Sequence, residues 1–118
     1  MARNDEAAIQ ASIVQWARLV APGAIIFAVP NGGWRSKREA ALLKWTGVVA
    51  GVPDLAVVSR GKACFLEVKT GKGRLSPEQA AMLARLQEMG AGVAVVRSID
   101  EARAAFKGWG IETREDQP

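Results

Sequence analysis

Two carboxylates and one ammonium group flank a pair of apolar segments, and their types and spacing suit chemistry on a phosphate. Asp54 directly follows Pro53 and precedes apolar residues 55–58, whereas Glu67 lies near the end of a second apolar segment and Lys69 two residues further on. Carboxylate oxygens are preferred ligands of Mg²⁺ and Mn²⁺. A nearby ammonium group can orient water and stabilise charge that develops on a phosphate. The pattern is therefore suited to holding a metal ion and directing water at a phosphate.

A β-hairpin is predicted to bring these groups together. Gly61 accommodates the positive φ of a tight turn, and a two-residue loop at residues 60–61 fixes the register of the two strands. That register pairs Ser59 with Lys62, Val58 with Ala63, Ala56 with Phe65, and Asp54 with Glu67. Directly opposed side chains lie about 5 Å apart on one face of a sheet. Lys69 shares that face because side chains alternate along a strand.

Facing carboxylates repel each other at the end of strands that are otherwise apolar, and a divalent cation would remove that repulsion. A plainer interpretation also fits the residues. Asp54 could be a turn residue after Pro53, with Glu67 and Lys69 as solvated charges at a strand end.

Absent residue types exclude several classes of hydrolase. The 118 residues contain no histidine and no tyrosine, which excludes Ser-His-Asp and Cys-His hydrolases and tyrosine recombinases. The single cysteine, Cys64, lies in an apolar segment and is expected to be buried and reduced, which favours a cytoplasmic location. We expect one domain, with no membrane span and no signal peptide.

Positive charge is concentrated around the candidate site. The net charge is +4, but residues 35–74 contain nine Lys or Arg against three Asp or Glu. Two of those three acids are Asp54 and Glu67. A basic surface around a carboxylate pocket suits a polyanion such as nucleic acid, although a merely solvated cationic face would have the same composition.

Periodicity and capping residues predict helix, strand, helix, strand, strand, helix, strand, helix, which is an α/β domain with a mixed sheet between helices. Ser36, Ser76 and Ser98 are predicted N-caps of the last three helices. Met82, Leu83, Leu86 and Met89 form the predicted core stripe of the third helix, and residues 93–96 a buried strand. Gln79 has two readings, since it could face the site or simply complete the capping box of Ser76.

These residues resemble the VRR-NUC (virus-type replication-repair nuclease) domain of the PD-(D/E)xK superfamily. The matching pieces occur in the family's order: Glu6 with Gln10, Asn31-Gly32-Gly33, Gly51-Val52-Pro53-Asp54, Glu67-Val68-Lys69 and Arg74-Leu75-Ser76-Pro77-Glu78-Gln79. They extend from about residue 5 to about residue 99, and the tail after about residue 107 is unassigned.

The resemblance implies a restriction-endonuclease-like fold, with one extra helix between the first two strands, and a metal-dependent nuclease. Asp54, Glu67 and the backbone carbonyl of Val68 would bind Mg²⁺ or Mn²⁺, and Lys69 would orient or activate the attacking water. Gln79 and Glu6 would complete the active site, with Glu6 near the metal, although Glu6 could equally be an acid favoured by the helix dipole.

Expected DNA contacts are Asn31, Gly32, Arg35, Lys37, Arg38, Lys72 and Arg74. Stand-alone, often phage-encoded members resemble Holliday-junction resolvases that act as homodimers, so a dimer cutting branched DNA in the host cytoplasm is the expectation. Trp34, Trp45 and Trp109 are candidate interface residues, with a core position favoured for Trp45. A DNA-binding module without catalysis, or a nuclease for RNA or single strands, remains an alternative.

Overall fold

The predicted order of elements is confirmed. The structure, a computed structural model, describes residues 2–30 and 36–116, with side chains from Asp5 onward. The helices are α1 (Ala2–Val20), α2 (Lys37–Trp45), α3 (Pro77–Glu88) and α4 (Ile99–Trp109), followed by a short 3₁₀ helix at Arg114–Asp116. The strands are β1 (Ile25–Ala28), β2 (Leu55–Ser59), β3 (Lys62–Val68) and β4 (Gly92–Val96). Helix α2 is the expected extra helix between the first two strands.

The four strands form one mixed sheet in the order β1-β2-β3-β4. β1 and β3 run antiparallel to β2, whereas β4 runs parallel to β3. The predicted hairpin register is confirmed from Ser59↔Lys62 to Ala56↔Phe65, and the ladder ends at Leu55↔Leu66. The hairpin loop is tight because Arg60 (φ 48°) and Gly61 (φ 79°) both have positive φ, which two-residue hairpin turns of type I′ require.

The main core lies on one face of the sheet, under α1 and α4. Ile13 and Phe106 from these helices pack with Leu66 of β3, and all three are 0–1% exposed. Helix α3 lies on the opposite face, against β4. The β1–β2 half of that second face is less covered, since Ile25 is 66% and Phe27 46% exposed.

Serine caps begin three helices as expected, because each hydroxyl accepts a hydrogen bond from the backbone N–H three residues later. Burial differs from the predictions at several places. Met89, the C-cap of α3, is 73% exposed, so the core stripe of that helix ends before it. Within residues 93–96 only Val96 is fully buried. Trp45 was expected in the core but is 84% exposed.

The C-terminal segment, unassigned from the sequence, packs on the core. α4 continues to Trp109, and Ile111 is 5% exposed in the same cluster as Phe106. Glu115 then accepts hydrogen bonds from the Trp16 indole and the Arg103 guanidinium. Among residues 2–30 and 36–116, no helix is long and apolar enough to cross a membrane.

Candidate active site

Asp54 is held rigidly at the start of β2. Pro53 before it is buried, and the Asp54 carbonyl accepts a hydrogen bond of 2.8 Å from the Val29 N–H beyond the end of β1. The Asp54 side chain reaches β3, where Oδ2 accepts a hydrogen bond of 2.7 Å from the Val68 N–H. Asp54 is therefore fixed through its backbone by the residue after β1 and through its carboxylate by β3.

The Val68 carbonyl faces the same side of β3 as the Val68 N–H that contacts Asp54. In an antiparallel pair, the N–H and C=O of one residue point to the same side of the strand. Because the Val68 N–H donates to Asp54, the Val68 carbonyl points toward that side as well. β2 begins at Leu55, opposite Leu66, so this carbonyl lies beyond the paired part of the hairpin. The arrangement fits the predicted use of that oxygen as a metal ligand.

Glu67 is a buried acid whose two oxygens have different surroundings. The residue is 1% exposed. Its Oε2 accepts a hydrogen bond of 3.2 Å from Gln79 Nε2 and lies 3.7 Å from Lys69 Nζ. Among the described residues, no N–H group donates to the buried Oε1. An unmet buried acceptor is costly, so this oxygen is suited to take up a proton or a cation.

The pKa of Glu67 is raised to about 8, first by burial and then by the charge of the Asp54 carboxyl and a hydrogen bond with it. Lys69 opposes this shift, and Glu6 adds a smaller repulsion. The site therefore takes up a proton in place of a second negative charge near neutral pH. A divalent cation would supply the compensating charge instead, and an all-oxygen donor set suits Mg²⁺ or Mn²⁺.

Gln79 completes the helix cap and also contacts Glu67, while its role in catalysis remains a prediction. Its Oε1 accepts a 2.9 Å hydrogen bond from the Ser76 N–H, which completes the capping box of α3. This contact turns the amide nitrogen toward Glu67, to which it donates. The helix cap thus orients the residue that holds one oxygen of the buried acid.

Lys69 continues the line of β3 into the site. Its backbone N–H donates to the Val96 carbonyl at 3.0 Å, and the residue is 8% exposed. Its ammonium group neutralises part of the Glu67 charge and lies beside the oxygen that Gln79 also holds. The predicted grouping of Asp54, Glu67, Lys69 and Gln79 is thus present in the fold.

The position of Glu6 leaves its role a prediction. It is half-buried on α1, near enough for its charge to contribute to the raised pKa of Glu67. Within the part of the chain that the structure describes, no three His, Cys, Asp or Glu side chains cluster closely enough to hold a metal ion together. Gln10, one turn further along α1, lines a groove beside Ala28.

The structure describes four of the seven residues predicted to contact DNA. Lys37 and Arg38 at the start of α2, and Lys72 and Arg74 after β3, are all exposed. Asn31, Gly32 and Arg35, with Gly33 and Trp34, lie outside the described residues. Their predicted roles remain predictions.

Sequence reasoning missed what two residues do at this site. Gly51 has φ +86°, and an added Cβ would lie 2.5 Å from the Glu78 carbonyl oxygen, so only glycine lets this loop lie against the first turn of α3. Its place in the Gly-Val-Pro-Asp motif was a signal, but its packing was not visible. Arg97 follows β4 and holds the loop after Lys69, and nothing in the local sequence indicates that contact.

A family model described as the VRR-NUC domain matches residues 1–100. The chain belongs to the VRR-NUC family. A solved structure titled "VRR_NUC domain protein" superimposes with a TM-score of 0.73 at 23% identity, covering 92% of this chain and 90% of that one. A second, titled "VRR_NUC domain", gives a TM-score of 0.60 at 25% identity, covering 89% of this chain and 97% of that one. A search of curated proteins gave no match.

Membership in the VRR-NUC family places this chain in a family of nucleases. The mixed sheet with helices on both faces is the restriction-endonuclease-like fold that the resemblance implied. The two solved VRR-NUC domains each align over most of their own length, so the likeness extends across the whole sheet and its helices.

Proposed function

We propose that this chain is a Mg²⁺- or Mn²⁺-dependent endonuclease that cuts branched DNA, with the four-way junction as its preferred substrate, and that it acts as a homodimer. The observation that carries the proposal is the pair of carboxylates at the end of the hairpin. Glu67 is 1% exposed, lies beside a second acid, and has one oxygen that no donor in the described part of the chain reaches.

Metal binding is assigned to Asp54, Glu67 and the Val68 carbonyl, with Glu6 as a further candidate through water. A bound divalent ion would polarise the phosphate and favour ionisation of the attacking water. Asp54 is held in place by the Val68 N–H, and Glu67 by Gln79. These fixed positions are what electrostatic catalysis requires, since the groups need no rearrangement when charge develops.

Lys69 is assigned to the attacking water and to the charge that develops on the phosphate. Its ammonium group lies 3.7 Å from Glu67 Oε2 in a nearly buried position. Solvent is largely excluded there, so a fixed positive charge acts more strongly than it would in water.

DNA binding is assigned to exposed cations that precede and follow the carboxylates in the sequence. Lys37 and Arg38 begin α2, while Lys72 and Arg74 follow Lys69 on the loop after β3. A groove of about 830 Å³ lies between α2 and the first turn of α3 and is lined by Lys44 and Gln79. Contacts of this kind are made with phosphates and carry no sequence information, which suits selection by DNA shape.

The apolar surface of α2 supports the homodimer. None of its residues is buried, and Leu42 is 56% and Trp45 84% exposed on the same side of the helix. Val49 after it is 50% exposed. A cluster of exposed apolar side chains of this kind suits a protein interface. A symmetric dimer would supply two active sites for the two strands of a junction.

A DNA-binding module without catalysis would account for the exposed cations. It would not explain why Glu67 is buried, since burial of an acid lowers stability. Action in the cytoplasm is supported by the lone cysteine, Cys64, which is buried and unpaired.

The test is cleavage of labelled four-way junction, flap, duplex and single-stranded DNA, and of RNA, with Mg²⁺ or with EDTA. The proposal expects metal-dependent cutting with the junction cut fastest. Asp54→Asn should abolish cutting but keep junction binding in Ca²⁺. Equal cutting in EDTA would refute metal dependence, and faster cutting of RNA or single strands would replace the substrate.

The dimer is tested separately by sedimentation. Trp45→Lys should convert dimer to monomer, whereas Met89→Lys, a matched change at a residue 73% exposed on α3, should not. A monomeric wild-type protein at concentrations that cut junctions would contradict the homodimer.

A further inference from the structure

Arg97 makes an unusual set of contacts beside the site. It follows β4 directly, is half-buried, and donates from a single nitrogen, Nη1, to two backbone carbonyls. These are the carbonyl of Thr70 and, at 2.9 Å, the carbonyl of Gly73. The contacts span 27 and 24 residues of sequence. Among the residues that the structure describes, Arg97 has no carboxylate within ion-pair distance, so its charge is directed at these carbonyl dipoles.

The two carbonyls belong to one tight turn. The Gly73 N–H donates to the Thr70 carbonyl at 3.0 Å, which closes a four-residue turn over residues 70–73. Gly71 and Gly73 make this segment intrinsically flexible, because glycine loses the most conformational freedom on ordering. Hydrogen bonds from a charged donor are about twice as strong as neutral ones. The Arg97 guanidinium therefore stabilises a turn that two glycines would otherwise leave flexible.

The residue 70–73 turn also supports Lys69, the lysine assigned to catalysis. A Cβ added to Gly73 would lie 3.4 Å from Lys69 Cδ, so the turn passes close to the aliphatic stem of that lysine. The Lys69 N–H is fixed on the other side by the Val96 carbonyl at 3.0 Å. Lys72 lies within the turn and Arg74 directly after it. One guanidinium thus fixes the segment that carries three cations of the site.

The backbone of Arg97 is held by the first turn of α4. Its backbone N–H donates to Glu101 Oε1 at 2.9 Å, in the first turn of α4. Its position is therefore set by the end of β4 and the start of α4, both parts of the rigid framework. The asymmetry between a rigid anchor and a glycine-containing turn means that Arg97 positions the turn, and not the reverse.

We infer that Arg97 is a positioning residue for the nuclease reaction: by holding the residue 70–73 turn, it fixes the Lys69 ammonium beside Glu67 and directs Lys72 and Arg74 toward DNA. The inference rests on the proposed function for its catalytic part. Arg97 need not touch DNA or metal in this role. Its loss should therefore lower the rate at saturating DNA more than it lowers metal affinity.

The first arm of the test measures the turn directly, by amide hydrogen exchange without DNA or metal. Arg97→Ala should speed exchange of the Gly73 amide at least tenfold. Arg103→Ala serves as the matched control, because it also removes a hydrogen-bonded arginine but at the C-terminal segment, where Arg103 contacts Glu115. Unchanged protection of Gly73 in Arg97→Ala would overturn the inference whether or not the protein is a nuclease.

The second arm measures single-turnover cleavage at saturating junction DNA. Misplacing a catalytic group by about 1 Å can cost about 100-fold in rate, so we expect a 10- to 100-fold loss in Arg97→Ala. The Mg²⁺ concentration for half-maximal rate should change less than about threefold. Arg97→Lys keeps most of the stem and the charge, so it should fold even if Arg97→Ala does not. Its ammonium group is one bond too short to occupy the position of Nη1, so the rate should still fall at least about fivefold.

The outcomes separate the two proposals. Wild-type protein that cuts no nucleic acid would refute the proposed function, and the exchange arm would then decide the role of Arg97 alone. Wild-type cutting together with full activity in both Arg97 variants would refute the inference and leave the nuclease intact. A loss of stability with an unchanged rate, as expected for Arg103→Ala, would show that Arg97 is only structural.

Discussion

Glu67→Gln should make the metal-free protein more stable, and by an amount that grows with pH. The buried acid has its pKa raised from 4.5 to about 8, so the native state keeps a proton that the unfolded state releases above pH 4.5. A raised carboxyl pKa favours the native state at low pH, and this stability is lost as pH rises toward the folded pKa. Glutamine is neutral at every pH and imitates the protonated acid in shape.

The magnitude follows from the two pKa values. Each pH unit between them lowers wild-type stability by about 1.4 kcal/mol relative to a neutral side chain. The variant should therefore exceed the wild type by about 1 kcal/mol at pH 5 and about 3 kcal/mol at pH 7. The side-chain amide oxygen that the Glu67→Gln substitution introduces can still accept a hydrogen bond from Gln79, which limits other losses.

The measurement is urea unfolding of both proteins in EDTA at several pH values from 5 to 8. Taking the difference cancels the other titrating groups, which the two proteins share. Adding Mg²⁺ should reverse the order at pH 8, since ligand binding stabilises only the protein that retains the carboxylate. A difference that stays flat with pH would refute the reasoning, because it would mean that Glu67 is ionised in the metal-free native state.

Three further predictions follow from the same contacts. Lys69→Ala should lower the cleavage rate about 10²- to 10³-fold with little change in Mg²⁺ affinity, and Lys69→Arg should not restore it; full rescue by arginine would indicate simple phosphate binding. Gly51→Ala should lower both stability, by about 1–3 kcal/mol, and cleavage, because its Cβ would displace the first turn of α3. Gly47→Ala is the control in urea unfolding, since it shares a positive φ but has open space around it; equal losses would show backbone strain alone. Lys72→Ala should reduce the slope of log K against log salt for duplex arms in Ca²⁺ by about 0.9, whereas Lys107→Ala on α4 should leave it unchanged.

The hairpin was predictable because its rules are local. A two-residue loop at Arg60 and Gly61 sets the register of every pair up to Leu55↔Leu66. Extending that register by one residue brings Asp54 beside Glu67, as predicted. The helix caps were predictable for the same reason. Ser76 and Gln79 lie three residues apart, so their mutual hydrogen bonds form wherever the helix starts.

Contacts between distant segments were not predictable. Arg97 reaches a turn 24–27 residues away, and no periodicity in the sequence reports that distance. The predicted core position of Trp45 was wrong for a related reason. Its spacing from Leu42 marks an apolar side of α2, but spacing cannot tell whether the chain itself or another copy covers that side. In the described fold the chain does not, which leaves Trp45 84% exposed.

The two oxygens of Glu67 argue against a purely structural role for the acid. A structural carboxylate in a core would be expected to have donors on both oxygens, because an unmet buried acceptor costs about 1–3 kcal/mol. Here Gln79 and Lys69 both contact Oε2, whereas no donor among the described residues reaches Oε1 and the neighbouring Asp54 carboxyl disfavours ionisation of Glu67. If either Gln79 or Lys69 contacted Oε1 instead of Oε2, both oxygens of Glu67 would have a donor. In the observed arrangement, Gln79 and Lys69 hold Oε2, and Oε1 stays open to another partner. This asymmetry supports the proposed role of Glu67 as a metal ligand.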